Sequence, residues 1–151
     1  MKIVAVSGGF DPIHIGHIEL LKEAEALGDK LVVIINNDNW LKKKKGIVFM
    51  NESERKAILE AVRYVDEVLV TGHPENPTDM SVCKELEKLK PDIFANGGDR
   101  DKKDAGNPSS SLNPEQALCQ RLKIEMVFNV GKSGKIQSSS ELVKKAKTAS
   151  S

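Results

Sequence analysis

Short apolar runs alternating with stretches of helical periodicity predict an α/β fold for this chain: a doubly wound, five-stranded parallel sheet in one domain. The length of 151 residues suits one full core. Glycine-rich polar turns follow the first and the fourth apolar run, at Gly8-Gly9 and Gly97-Gly98. Right-handed crossovers lead to the strand order 3-2-1-4-5, with strands one and four side by side. Their carboxyl ends then frame a crevice where ligands bind in such sheets.

Each element has its own signal. Ile3–Val6 reads as strand one. His17–Ala26 reads as helix one, because Ile18, Leu20, Leu21, Ala24 and Leu27 give a broad apolar face. Gly28 is the expected stop. Lys30–Ile35 is strand two, an apolar run suited to burial on both faces. Asn36 to Met50 reads as a loop holding Lys42 to Lys45, four adjacent cations whose repulsion predicts a mobile segment. Asn51 with Glu54 resembles a capping box that opens helix two, Glu52–Tyr64. Glu67–Thr71 is strand three, Thr78–Leu89 helix three and Asp92–Ala95 strand four. A polar loop runs to Asn113, where Pro114 takes a favoured first helical position in helix four. Ile124–Phe128 is strand five. Ser138-Ser139-Ser140 caps a last helix to about Lys147, so the domain spans residues 1–147 and Thr148–Ser151 forms a frayed tail.

Composition narrows the function classes. Charged residues make up 30% and hydrophobic ones 39%, ordinary values for a globular domain. The formal charge of +1 offers no basic field for nucleic acid. No apolar run approaches the roughly 18–20 residues of a membrane span. The chain runs directly into its first strand without a signal-peptide pattern, which predicts a cytoplasmic protein. Cys83 and Cys119 fall in predicted helices and form no metal-type cluster, so both are expected as reduced, buried thiols.

Chemistry concentrates in Ser7-Gly8-Gly9-Phe10-Asp11-Pro12-Ile13-His14-Ile15-Gly16-His17. Glycines let the backbone come close to a ligand. Two imidazoles at a helix start set N–H donors beside the positive end of the helix dipole. That constellation suits a polyphosphate whose charge changes during a reaction.

The same stretch resembles the nucleotidyltransferase signature of the cytidylyltransferase superfamily, with its HxGH core at His14-Ile15-Gly16-His17. It is most similar to the glycerol-3-phosphate cytidylyltransferase type, and the likeness runs from about Lys2 to Val70. Lys90-Pro91-Asp92 with Gly97-Gly98-Asp99 looks more like the adenylyltransferase part of bacterial heptose-phosphate enzymes. Ser138-Ser139-Ser140 sits where the family has its Ser/Thr motif.

The resemblance implies a Rossmann-like fold and nucleotidyl transfer. A phosphorylated small alcohol or sugar attacks the α-phosphorus of a triphosphate, and pyrophosphate leaves with Mg²⁺ held mainly through the triphosphate. Such a nucleophile is already ionised near neutral pH, so alignment and charge neutralisation carry the catalysis. The implied catalytic residues are His14, His17 and Lys44, with Lys45 one position from the family's second lysine. Gly8, Gly9, Phe10, Gly16, Gly97, Asp99, Ser138, Ser139 and Ser140 are implied to bind the nucleotide. Asp11, Asp38, Arg55 and Arg63 are implied at the acceptor, Arg55 on its phosphate. Arg63 also stands near the family's two-fold contact, which implies a homodimer. Arg55 and Arg63, eight apart, are read on one face of helix two.

Two departures bear on the base. The family's tryptophan after strand three has no counterpart in Gly72–Met80, and its arginine before the Ser/Thr motif is missing, with Lys132 or Lys135 as replacements. The match of the first half favours CTP, whereas Gly97-Gly98-Asp99 and Pro12 favour ATP. The reading settles on CMP transfer, with adenylyl transfer as the alternative. A catalytically idle nucleotide-binding protein is the alternative of another class.

Overall fold

The computed structural model describes residues 1–97 and 112–131. Gly98, Asp99, the polar loop to Ser111, Lys132, Lys135, Ser138–Ser140, the last helix and the tail therefore lie outside the described residues.

Apolar β-branched runs form the sheet. In chain order the elements are β1 (Ile3–Gly8), α1 (Ile15–Glu25), β2 (Lys30–Ile35), α2 (Asp38–Lys45), α3 (Glu52–Glu60), β3 (Glu67–Val70), α4 (Cys83–Leu89), β4 (Ile93–Gly97), α5 (Leu112–Leu122) and β5 (Glu125–Val130). The five strands pair in parallel in the order β3-β2-β1-β4-β5, as the crossover argument expects. The pleat then sorts the core by alternation. Val4, Val6, Leu31, Val33 and Ile35 join Leu21 and Ala24 of α1 and Leu59 of α3 on one face. Ala5, Ile34 and Phe94 join Leu86 of α4 and Leu118 and Cys119 of α5 on the other.

Three aspartates fix the register at the amino ends. Asp29, Asp66 and Asp92 each stand just before a strand. Their carboxylates accept from the amides of Lys2 at 2.7 Å, Leu31 at 2.8 Å and Ile3 at 2.8 Å. Gly28 meets a steric demand of the same region, since a Cβ there would lie 2.8 Å from both Lys2 O and Val4 Cγ2. It is not the helix stop: the C-cap of α1 is Ala26.

The largest difference from the sequence expectation is α2, which occupies most of the stretch read as a loop. Asn37 caps it by accepting from Trp40 N at 3.0 Å, and Gly46 closes it at φ 76°. Asp38 lies in the first turn and Lys42–Lys45 in the last, so both charge types complement the helix dipole. Successive lysines are also fanned about 100° apart around the axis, which eases their repulsion. Asn51 caps α3 as expected, accepting from Glu54 N at 2.9 Å. That helix ends at Glu60 rather than Tyr64, because its last turn tightens into bonds from Ala61 N to Ile58 O and Val62 N to Leu59 O. The helix predicted from Thr78 starts only at Cys83. Asp79 engages Ser81 N at 3.0 Å and Ser81 Oγ at 2.6 Å, and Trp40 Nε1 donates to Met80 O at 2.8 Å. Both predicted helix positions for cysteine hold, Cys83 on α4 and Cys119 on α5, each a free thiol; Cys119 is buried as expected, whereas Cys83 is only half-buried.

Candidate active site

The carboxyl end of β1 opens into a turn shaped by its glycines. Phe10 adopts φ 51° and its ring is buried against the core. A Cβ on Gly8 would come within 3.2 Å of that ring, and one on Gly9 within 3.1 Å of Leu41 Cδ2 on α2. A side chain at either position would press on Phe10 or on Leu41 of α2, which would have to give by a few tenths of an ångström. The Phe10 side chain belongs to the core, leaving its backbone for any phosphate.

Two buried charged groups lock this turn to its neighbours. The Asp11 carboxylate accepts from Phe49 N and Met50 N, each at 2.7 Å. Arg55 is fully buried; its Nε donates to Met50 O at 2.9 Å, and its Nη1 to Gly9 O at 2.9 Å and to Asn36 O. Its Nη2 pairs with Asp38 Oδ1 at 2.8 Å. The glycine turn, the end of β2, α2 and the entry to α3 therefore meet at one guanidinium.

The histidines cap α1, which begins at Ile15 rather than His17. His14 Nδ1 accepts from Gly16 N at 3.1 Å, and His17 Nδ1 accepts from His14 N at 3.1 Å. The two rings stack with centroids 3.9 Å apart, and Phe10 lies 4.7 Å from the His17 ring. A neutral imidazole whose Nδ1 accepts carries its proton on Nε2. Each ring therefore has its N–H on the edge away from the helix backbone. Burial pushes the His17 pKa down to about 3, helped by positive charge on His14 and Lys45. At neutral pH His17 is an uncharged hydrogen-bond donor. Of the four lysines, Lys45 is the one whose charge bears on His17; the sequence likeness had singled out Lys44.

Comparison with known proteins gives the family. The model of the family described as "Cytidylyltransferase-like" matches residues 5–145. The chain belongs to the cytidylyltransferase-like nucleotidyltransferase family. It is 44% identical over 99 residues to an FAD synthase of Pyrococcus abyssi, covering 65% of this chain and 64% of that protein. It is 40% identical over 102 residues to an ethanolamine-phosphate cytidylyltransferase of Dictyostelium discoideum, covering 66% of this chain and 27% of that protein. The chain thus spans under two thirds of the length of these relatives. A lipopolysaccharide core biosynthesis protein from Thermoplasma volcanium shares the fold with a TM-score of 0.66 and 26% identity, over 88% of this chain and 99% of that one.

Within this family member, the structure sorts the residues implied by the likeness. It brings together Gly8, Gly9, Phe10, His14, Gly16 and His17 at one turn, with the N–H of Gly16 taken by the cap. Gly97 ends β4, whose register shifts against β5 just before it. Asp11, Asp38 and Arg55 stand beside the turn, but their polar atoms hold backbone and each other rather than opening toward an acceptor. Arg63 is not on one helical face with Arg55. It lies past the end of α3 and before β3, whose lead-in Asp66 pairs with Leu31 at the start of β2. That is the end of the sheet opposite the glycine turn, and Arg63 there stacks its guanidinium on Tyr64 at 5.1 Å. The sequence reading missed the network after β3. Thr71 Oγ1 accepts from Asn37 N at 3.0 Å and lies 2.7 Å from His73 Nδ1, while His73 Nε2 lies 3.0 Å from Ser81 O. Asn37 and Asn39 both donate to His73 O at 2.9 Å, tying the start of α2 to this loop. Only the Asn36-Asn37 pair ending an apolar strand hinted at it.

Proposed function

We propose that this chain transfers a nucleotidyl group from a nucleoside triphosphate to the phosphate of a small acceptor, with ATP as the donor. The observation that carries the reading is the histidine cap: two stacked rings at a helix start beside a glycine turn, each turning Nδ1 to a backbone N–H and leaving Nε2 as its outward nitrogen. An acceptor phosphate oxygen forms a bond to the α-phosphorus as the bond from that phosphorus to the bridging oxygen of the β-phosphate breaks. Negative charge moves onto the leaving pyrophosphate. Donors fixed beforehand stabilise that charge without reorganising. His14 and His17 act through hydrogen bonds, and Lys45 adds a positive charge on the same side.

Mg²⁺ enters as part of the triphosphate substrate. Phosphate oxygens are its main ligands in this reading. By the sequence likeness the nucleotide is expected near Gly97, with Asp99 and Ser138–Ser140, which lie outside the described residues, as further contacts. The protein works as a homodimer. No described helix is long and apolar enough to cross a membrane.

ATP is favoured over CTP by the archaeal relatives. FAD is a flavin mononucleotide joined through its phosphate to an adenylyl group, and two Pyrococcus FAD synthases match at 44% and 43% identity. The ethanolamine-phosphate cytidylyltransferase keeps CTP as the second reading. A pyrophosphate-release screen decides. Each of four ribonucleoside triphosphates is paired with flavin mononucleotide, phosphoethanolamine, glycerol 3-phosphate and sugar phosphates. Release only with CTP overturns the donor; silence with every pair, despite tight triphosphate binding, favours an idle binder.

A further inference from the structure

The one tryptophan of the chain stands outside both core clusters. Trp40 lies half-buried on α2, and the cap of that helix uses only its backbone, through Trp40 N and Asn37. A large apolar ring is most often buried in a core or an interface. Here the indole bridges two loops instead. Its Nε1 donates to Met80 O at 2.8 Å, in the loop after β3. Its Cζ3, at the opposite end of the ring system, lies 3.8 Å from where a Cβ on Gly9 would stand. Leu41, the next residue, is fully buried and brings its Cδ2 within 3.1 Å of the same point.

Two neighbouring side chains against one turn set how α2 is rotated about its axis. Residues four apart share a helical face, so Lys45 follows Leu41 and Lys44 follows Trp40. Leu41 packs on the glycine turn, which places Lys45 on that side of the helix. The Lys45 charge felt by His17 agrees with this facing. Asn39 Nδ2 and Lys43 Nζ hold α2 to the loop after β3, through His73 O and Asn76 Oδ1, each at 2.9 Å. Trp40 joins that loop directly to the glycine turn.

We propose that Trp40 is a positioning residue: its indole holds α2 in the rotation that carries the Lys45 ammonium toward the histidine turn, and it acts on the triphosphate through Lys45. The assignment rests on the nucleotidyl-transfer reading.

A double-mutant cycle separates this role from a merely structural one. Lys45→Ala should lower kcat/KM for the triphosphate about tenfold or more, as the loss of one charged contact does. Trp40→Leu should lower it by up to the same factor. The two changes together should then fall within about twofold of Lys45→Ala alone, because a displaced helix has no Lys45 charge left to misplace. Trp40→Phe keeps a ring against Gly9 without the donor for Met80 O, so it should lose less than Trp40→Leu. The same cycle read by calorimetry of triphosphate binding needs no turnover. Losses that multiply make Trp40 independent of Lys45 and overturn the proposal. So does a folded Trp40→Leu variant with normal kcat/KM and affinity, or a Lys45→Ala variant that loses neither. If Trp40→Leu does not fold, the cycle runs with Trp40→Phe. Wild type that binds a triphosphate but releases no pyrophosphate with any acceptor refutes the transfer reading, and the binding cycle still decides the role of Trp40.

Discussion

Arg55→Met separates two roles for a buried arginine. The side chain is fully buried and holds three carbonyl oxygens and one carboxylate. Methionine replaces its volume but none of its donors. The bond to Asn36 O is fully buried, whereas those to Met50 O and Gly9 O are partly so. Orphaning a buried acceptor costs about 1–3 kcal/mol, and the partly buried ones fall near the lower end because water reaches them. Asp38 keeps 27% side-chain exposure, so it rehydrates and loses less than the roughly 3–5 kcal/mol typical of breaking a buried pair. Relief of the desolvated guanidinium offsets part of the sum. The expected net loss is about 3–5 kcal/mol, a large share of the roughly 5–15 kcal/mol that holds a domain folded. Urea denaturation should show a lower midpoint with an unchanged slope. Arg55→Lys should fall between the two, since a single ammonium cannot span the acceptors of a planar fork. A loss below about 1 kcal/mol, with a raised acceptor KM, would refute the anchor and restore Arg55 to the acceptor phosphate.

Other tests address the site and its surroundings. His14→Asn keeps a good helix cap but removes the Nε2 donor, so stability should change by a few tenths of a kcal/mol while turnover drops about 10²–10³-fold; near-normal turnover in the folded variant removes His14 from the reaction. His17 has a folded pKa of about 3 against an unfolded value near 6.5, so the unfolded state binds the extra proton between them. Stability should therefore fall as pH drops from about 6.5 toward 3, and His17→Gln should flatten that slope in thermal midpoints measured from pH 7 to 4. Burial raises both thiols, Cys119 up to about 12, so a disulfide exchange reagent at pH 8 should react slowly with the native protein and promptly with two thiols in denaturant. Sedimentation at micromolar concentration should give a dimer, and a fully active monomer would remove that part of the reading.

How much was legible in the sequence follows from the range of each interaction. The sheet and its order came from local signals, since apolar runs and turn glycines are read within a few residues. The histidine cap was half legible: the spacing put both rings at a helix start, but not that their Nδ1 atoms hold backbone amides. The helix α2 was legible and misread. Asn37 and Gly46 are ordinary cap signals, yet the four lysines were weighed as repulsion alone, without the dipole that receives them. Arg55, Asp11 and Asp38 could not be assigned locally. Arg55 meets Asp38 from 17 residues away and Gly9 from 46, and Asp11 meets Met50 from 39. Such partners are set by the packing of loops at one end of the sheet.

That packing also explains why the charged residues nearest the turn are turned inward. A site for two mutually repelling phosphates needs cations and neutral donors held in place before the ligands arrive. Arg55 and Asp11 tie the glycine turn to the ends of β2 and α2, and Trp40 and Asn37 tie α2 to the loop after β3. The last turn of α2, with its four exposed lysines, thereby belongs to a helix tied to the glycine turn and to the loop after β3. The histidines meet the complementary demand. A ring whose pKa is about 3 keeps its Nε2 proton and its neutrality across the physiological range. In the proposed reaction such a ring would donate to developing negative charge without becoming an acid that could protonate the nucleophile. In the proposed transfer the exposed lysines would draw the reactants together and the histidine Nε2 donors would favour the transition state, a division of labour that follows from which groups the fold buries.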